Sequence, residues 1–234
     1  MSIAENIARV RERIVVAAKR VGRNPDSVTL MAVSKTVDQE RIHQASVAGI
    51  RLFGENRVQE FEQKFPDADS RRNAEWHLIG HLQTNKARKA VEIFDAVDSV
   101  DSLRLAEKLD HAAASSANKL PVLIEINVGG EESKSGVPLD SPRLADLLQG
   151  VGRLEHLQVR GLMAVPPFAE NPEATRLYFR LLRDLRDSVA QRKLPGIQMD
   201  VLSMGMSHDF EVAIEEGSTC VRVGTAIFGE RPKP

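Results

Sequence analysis

Lys35 closes an apolar run, Leu30-Met31-Ala32-Val33-Ser34-Lys35. A lysine just past a strand is ordinarily solvated. At the mouth of a barrel, partial desolvation lowers the pKa of such a lysine, and the neutral amine becomes a nucleophile toward carbonyls. That is Schiff-base chemistry. A second set of candidates lies near the C-terminus. Leu202-Ser203-Met204-Gly205-Met206-Ser207 carries small and hydroxyl residues after a β-like run, with a helix expected from His208. Cys220-Val221-Arg222-Val223-Gly224-Thr225 supplies another glycine–hydroxyl strand end. Loops of this kind bind phosphate through backbone N–H groups and a helix N-terminus. Strand alternation puts Arg222 and Gly224 on one face and Val221 and Val223 on the other. With the valines toward outer helices, Arg222 points into the barrel beside these loops. The alternative is an internal ion pair with Glu125 or another inward carboxylate. A strand-1 lysine, a buried arginine and a phosphate cradle together suit an aldehyde phosphate.

The elements that must position these groups follow an alternating pattern. β-like runs are expected at 28–34, 50–54, 75–80, 94–100, 121–128, 158–165, 199–204 and 220–225. Amphipathic helical stretches fall near 38–48, 56–65, 84–92, 101–117, 141–151, 173–192 and 208–216. One more helix precedes the first strand. Ser2 and Glu5 form a capping-box pattern there, and Ile3, Ile7, Val10, Ile14, Ala17 and Val21 share a face. Eight βα repeats in 234 residues predict an α/β fold, a single (β/α)8 TIM-type barrel with an extra N-terminal helix. No linker or composition shift divides residues 1–234, so one domain is expected. In such a barrel, chemistry sits where strands end: Ser34-Lys35, Glu55-Asn56, Gly80-His81, Ser99–Asp101, Asn127, Met163, Ser203–Gly205 and Gly224-Thr225.

Composition excludes several classes. The chain has 32 Lys+Arg against 33 Asp+Glu, a net charge of −1, which disfavours a nucleic-acid binder. Its single cysteine, Cys220, rules out a disulfide framework or cysteine-based zinc site and fits a reducing compartment. No secretory signal opens the chain, and no run approaches the roughly 20 apolar residues of a membrane span. A cytoplasmic protein is expected. No G-x-G-x-x-G follows an early strand, and Gly129–Ser135 lacks the G-K-[ST] that ends a P-loop. His77 and His81 straddle a strand and its exit, which does not favour a metal site.

Longer segments carry a resemblance. Ala32–Thr36, Phe53–Glu60, Trp76–Lys86, Ser133–Gly136, Arg160–Met163, Leu202–Ser207 and Val221–Gly229 resemble the pyridoxal phosphate homeostasis protein family, in the expected order from about residue 5 to residue 231. The resemblance implies a barrel like the N-terminal domain of alanine racemase, holding pyridoxal 5′-phosphate (PLP) as an internal aldimine. By the same comparison Lys35 is the Schiff-base lysine and Asn56 lies near the ring. Ser207, Gly224 and Thr225 form the phosphate loop with Ser203 and Gly205 nearby. Arg222 faces the pyridine nitrogen, and His81 lies at the barrel mouth. Lys134 is either a solvated loop lysine or a second amine for incoming PLP. Trp76 and Cys220 read as packing residues.

Alanine racemase chemistry needs an acid/base group on each side of the substrate carbon, one of them a tyrosine from another domain. The only tyrosine here is Tyr178, on an apolar helix face with Leu181, Leu182, Leu185 and Val189. A cation opposite the ring nitrogen also disfavours its protonation, leaving a poorer electron sink. The expected function is therefore PLP binding, homeostasis and delivery to apoenzymes by a monomer, without strong catalysis. The alternatives are a racemase-like PLP enzyme with a weak or unknown substrate, and a sugar-phosphate barrel enzyme in which Lys35 is an aldolase-type lysine.

Overall fold

The computed structural model describes residues 1–131 and 134–230. Glu132 and Ser133, within the Gly129–Ser135 and Ser133–Gly136 segments above, and residues 231–234 lie outside the described residues. Eight parallel strands form the barrel wall: β1 (Thr29–Val33), β2 (Leu52–Glu55), β3 (Glu75–Leu78), β4 (Ala96–Val100), β5 (Leu120–Asn127), β7 (Leu157–Ala164), β8 (Ile197–Ser203) and β9 (Cys220–Val223). Their order is β4-β3-β2-β1-β9-β8-β7-β5, and pairing of β4 with β5 closes the ring. A two-residue strand β6 (Val137–Pro138), not expected from the sequence, adds to the edge of β5. It lies in the loop that carries Lys134.

A helix follows each wall strand, as parallel pairing demands. These are α2 (Gln39–Val47), α3 (Val58–Lys64), α4 (Ala87–Ile93), α5 (Leu103–Ala113), α6 (Pro142–Val151), α7 (Arg176–Gln191), α8 (Phe210–Glu215) and a short α9 (Thr225–Phe228). The strand expected to run to Thr225 stops at Val223, because Gly224 (φ −111, ψ −77) turns the chain into α9. Trp76 lies within an aromatic cluster of Phe53, Phe61, Phe65 and Phe94 that fills the space between β2–β4 and their helices. Trp76 and Cys220 are buried packing residues, as expected.

The leading helix α1 (Ile3–Arg20) carries the capping box at Ser2 and Glu5 and buries Ile3, Ile7, Val10, Ile14 and Ala17. Val21, expected on that face, is the C-cap and is exposed, because the helix ends there. α1 packs on α8 and α9. Asn6 donates to the Ile227 carbonyl at 2.9 Å, and Arg13 pairs with Glu211 at 2.7 Å. The first helix thus braces the last two strand–helix units, where the phosphate-type loops lie. Among the described residues, no helix is long and apolar enough to cross a membrane.

Beside them, Glu216 ties α7 to the end of α8. Its carboxylate accepts from Arg176 at 2.8 Å, Arg180 at 3.1 Å and Arg183 at 2.8 Å while its side chain is 6% exposed. Burial opposes that charge, but the arginines hold the carboxyl below its ordinary range. Removing the shared acceptor leaves three guanidinium groups short of a partner at once. Glu216→Ala is expected to cost about 2–4 kcal/mol, whereas Glu211→Ala, at a more exposed pair, costs about 1 kcal/mol or less. Denaturant midpoints of the two variants check the contrast; equal losses would show that Glu216 contributes no more than a surface pair.

Candidate functional site

The exit of β1 is fixed by a buried polar network. Ser34 Oγ donates to Glu55 Oε1 at 2.7 Å across the β1–β2 pair. Lys64 Nζ donates to the Ser34 carbonyl at 2.9 Å and to Glu55 Oε1 at 3.1 Å. The same ammonium lies 2.8 Å from Glu60, whose carboxylate accepts from the Thr36 N–H at 2.6 Å. Thr36 has φ 62, a left-handed conformation costing a non-glycine residue about 1–2 kcal/mol. Lys35 sits between the buried Ser34 and this constrained turn. Its backbone is therefore held from both sides.

The exits of β2 and β3 touch. A Cβ on Gly80 would lie 2.3 Å from the Asn56 carbonyl oxygen, so only glycine lets these loops meet. Ser99 Oγ anchors the same point by donating to the Gly80 carbonyl at 2.7 Å. On the other side, Arg222 is 3% exposed inside the barrel. Its Nη1 donates to Ser203 Oγ and its Nη2 to the Ala164 carbonyl, both at 2.7 Å. Burial weighs against this cation, and Asp98, Glu125 and Asp209 counter it.

A cavity of about 470 Å³ opens at these strand ends, and Lys35, Asn56, His81, Ser207, Arg222, Gly224 and Thr225 line it. The structure thus brings together seven of the nine residues singled out from sequence. Ser203 and Gly205 stand behind them. Ser203 is fully buried and spends its hydroxyl on Arg222. Gly205 accepts the Arg222 backbone N–H at 3.0 Å, and at φ +93 a Cβ there would lie 2.5 Å from Ala213. The family resemblance places both near the phosphate loop; here Ser203 is buried and Gly205 lies in the tight turn into α8. Ser207 Oγ accepts from the N–H groups of Gly224 and Ala226, each at 3.2 Å. Two backbone donors at the start of α9 therefore converge on the Ser207 oxygen and fix that hydroxyl at the cavity wall, where its proton can be donated to a ligand.

Other lining groups carry less obvious sequence signals. Val33, Ile79, Val165 and Met206 give apolar walls, while Lys134 and His208 add basic groups at the rim. Lys134 reaches the mouth and pairs with Glu131 at 2.8 Å. His81 Nδ1 lies 3.2 Å from Asp101. His77 lies below the site, with Nδ1 3.0 Å from Asp98 and Nε2 3.0 Å from Glu75. Burial opposes its charge, but Asp98 and Glu75 raise the imidazole pKa to about 10. Among the described residues, no group of three or more His, Cys, Asp or Glu side chains could hold a metal ion.

Comparison with known proteins is consistent along the whole chain. The family described as alanine racemase, N-terminal domain, matches residues 4–232. A pyridoxal phosphate homeostasis protein of Aquifex aeolicus is 46% identical over 231 residues, spanning 99% of both chains. Its counterpart in Escherichia coli K12 is 45% identical over 98% of this chain and 97% of that one. PipY of Synechococcus elongatus PCC7942, solved with PLP bound, superposes with a TM-score of 0.83 at 38% identity, covering 97% of this chain and 100% of that one.

Glu125 also lines the cavity, a carboxyl that the sequence pattern offers only as the alternative ion-pair partner of Arg222. Burial, then the nearby Asp101, pushes its carboxyl up to about 7, with Arg222 opposing. Between 4.5 and about 7 the folded chain therefore keeps a proton that the unfolded chain has lost. Folding stability falls as pH rises through that window and stays reduced above it. Glu125→Gln cannot ionise, so its melting temperature should gain on the parent's as pH climbs from acid to alkaline. A gap that stays constant with pH would mean Glu125 titrates as an ordinary carboxyl.

Proposed function

Since the chain belongs to the alanine racemase N-terminal domain family and, within it, to the pyridoxal phosphate homeostasis proteins, we propose that it binds PLP at the barrel mouth and serves as a carrier of that cofactor. The observation that carries this reading is one cavity onto which Lys35, Arg222 and the Ser207–Gly224–Thr225 group all open. Its volume of about 470 Å³ suits a small ligand, since such sites run from about 300 to 1,000 Å³. The PLP bound to PipY supports the choice of ligand.

In this reading Lys35 bonds the aldehyde, and the hydroxyls of Ser207 and Thr225 at the Gly224 turn hold the phosphate, Ser207 being positioned by the Gly224 and Ala226 N–H groups. Asn56 and His81 flank the ring. Arg222 faces the ring nitrogen, and Ser203 and Gly205 act through it by fixing its guanidinium and backbone. When bound, PLP supplies a reactive carbonyl and an electron-withdrawing ring. Arg222 makes that ring hard to protonate, which weakens carbanion stabilisation. Tyr178 packs partly buried against the core and offers no acid/base group. Binding and release, not amino-acid chemistry, are what these residues favour. A single PLP-binding domain over residues 1–234, a monomer in the cytoplasm with apo PLP-dependent enzymes as recipients, completes the proposal.

Two measurements test it. Borohydride treatment of the PLP-loaded protein should fix the cofactor to the peptide containing Lys35; an adduct on another lysine, with none on Lys35, would refute the assignment. The loaded protein should also reactivate an apo PLP-dependent enzyme while exchanging the α-proton of L-alanine negligibly in deuterated water. Efficient exchange that disappears in Lys35→Ala would replace the carrier with a racemase-like enzyme.

A further inference from the structure

Lys35 occupies the second position of a tight turn. Val37 closes it by donating its N–H to the Ser34 carbonyl at 3.0 Å. Thr36, in the third position, has φ 62, the sign that glycine ordinarily supplies in such turns. One ammonium holds both ends of this turn. Lys64 Nζ, on α3, lies 2.9 Å from the Ser34 carbonyl oxygen and 2.8 Å from Glu60 Oε1. That same Glu60 oxygen accepts the Thr36 N–H at 2.6 Å. Glu55 Oε1, at 3.1 Å, is the third acceptor around Nζ.

The arrangement is costly for the fold. The Glu55 side chain is fully buried, and among the described residues its Oε2 finds no hydrogen-bond partner. A buried oxygen without a donor and a left-handed threonine both oppose folding. Such features persist where the surroundings over-determine them, and they cluster at functional sites. Here they flank the lysine that lines the cavity. The acceptors around Lys64 Nζ are as many as its N–H donors, so this second lysine is committed to the scaffold and not to a ligand.

We propose that Lys64 is a positioning residue for Lys35: through Ser34 and Glu60 it fixes the turn that presents the Lys35 amine to a bound aldehyde. The proposal rests on the PLP reading for the ligand. When the Lys35 amine bonds to the aldehyde carbon, the carbonyl oxygen leaves with the two amine protons as water, so no other reactant is needed. A loose turn would have to be ordered at each such encounter, whereas the Lys64 contacts order it in advance. Only a ligand that bonds to Lys35 draws on that ordering. Pyridoxine 5′-phosphate keeps the ring and phosphate but carries an alcohol in place of the aldehyde, so its binding does not.

These two ligands separate positioning from general damage. Calorimetric titration of the whole protein with each gives an affinity ratio for every variant. Lys64→Met keeps the aliphatic stem and removes the ammonium. It should weaken PLP on the order of tenfold, the cost of ordering one backbone residue, and leave pyridoxine 5′-phosphate unchanged. Glu60→Ala, at a side chain 26% exposed, should shift the ratio the same way, and it tests the clamp even where Lys64→Met fails to fold. Glu60→Gln keeps an oxygen for the Thr36 N–H and should stay near the parent ratio. Equal losses for both ligands, or a parent-like ratio in Glu60→Ala and in folded Lys64→Met, would overturn the proposal. A parent that forms no coloured, borohydride-reducible bond with PLP would instead sink the carrier reading, and the role of Lys64 with it.

Discussion

A guanidinium sealed inside the barrel mouth is the constraint around which the site is built. Arg222 cannot leave its charge unmatched at 3% exposure, so the surrounding strands must supply acceptors. β8 gives the Ser203 hydroxyl and β7 the Ala164 carbonyl, both at 2.7 Å. The Gly205 carbonyl takes the backbone N–H. These bonds join β7, β8 and β9 at the level where their exit loops begin. The loops then inherit the register of the bonds, and Ser207 arrives within reach of the Gly224 and Ala226 N–H groups. The same cation sets the electrostatics of the mouth: it holds the Glu125 pKa down against burial and Asp101 and helps retain the charge of Asp209.

The opposite flank solves a similar problem with the sign reversed. Glu55 is a buried carboxyl whose pKa burial raises, opposed by Lys64 and Ser34. Its contacts join the ends of β1 and β2 to α3, and through Glu60 they hold the left-handed Thr36. A flexible lysine on a frayed strand end would lose rotational freedom on every encounter with a carbonyl. One whose neighbours on both sides are already fixed loses less, which is preorganisation in the ordinary sense. Lys35 is placed by a carboxylate and Arg222 by neutral oxygens, so the two halves of the mouth do not compete for the same partners.

Much of this was legible in the chain because parallel βα units leave a plain periodic trace. The strand and helix order and the capping box at Ser2 follow from local pattern alone, and alternation puts Arg222 opposite Val221 and Val223, so it points inward once the valines face the helices. What escaped depended on geometry between distant segments. Ser203 and Gly205 look like ligand-facing loop residues until the Cβ-free turn at Gly205 is seen pressed against Ala213. Gly224 looks like the end of a strand, yet its dihedral angles begin α9. The short β6 has no amphipathic period to announce it. Glu125 was visible as an acidic residue in an apolar strand, but whether it paired with Arg222 or faced a cavity depends on a strand three places away around the barrel.

The charge pattern of the mouth bears on how a carrier can bind its cargo firmly and still release it. Basic side chains and backbone donors dominate the lining, so an anionic group is attracted wherever it enters, and this attraction extends to the rim through Lys134 and His208. Such interactions weaken with distance and salt and do not by themselves fix an orientation. Short neutral contacts can fix an orientation, and the lining offers them in the Ser207 hydroxyl and the apolar walls of Val33, Ile79 and Met206. In the proposed binding mode a covalent bond to Lys35 would add strength that water or another amine can reverse. Capture by broad electrostatics, orientation by short contacts and retention by a reversible bond are separable steps.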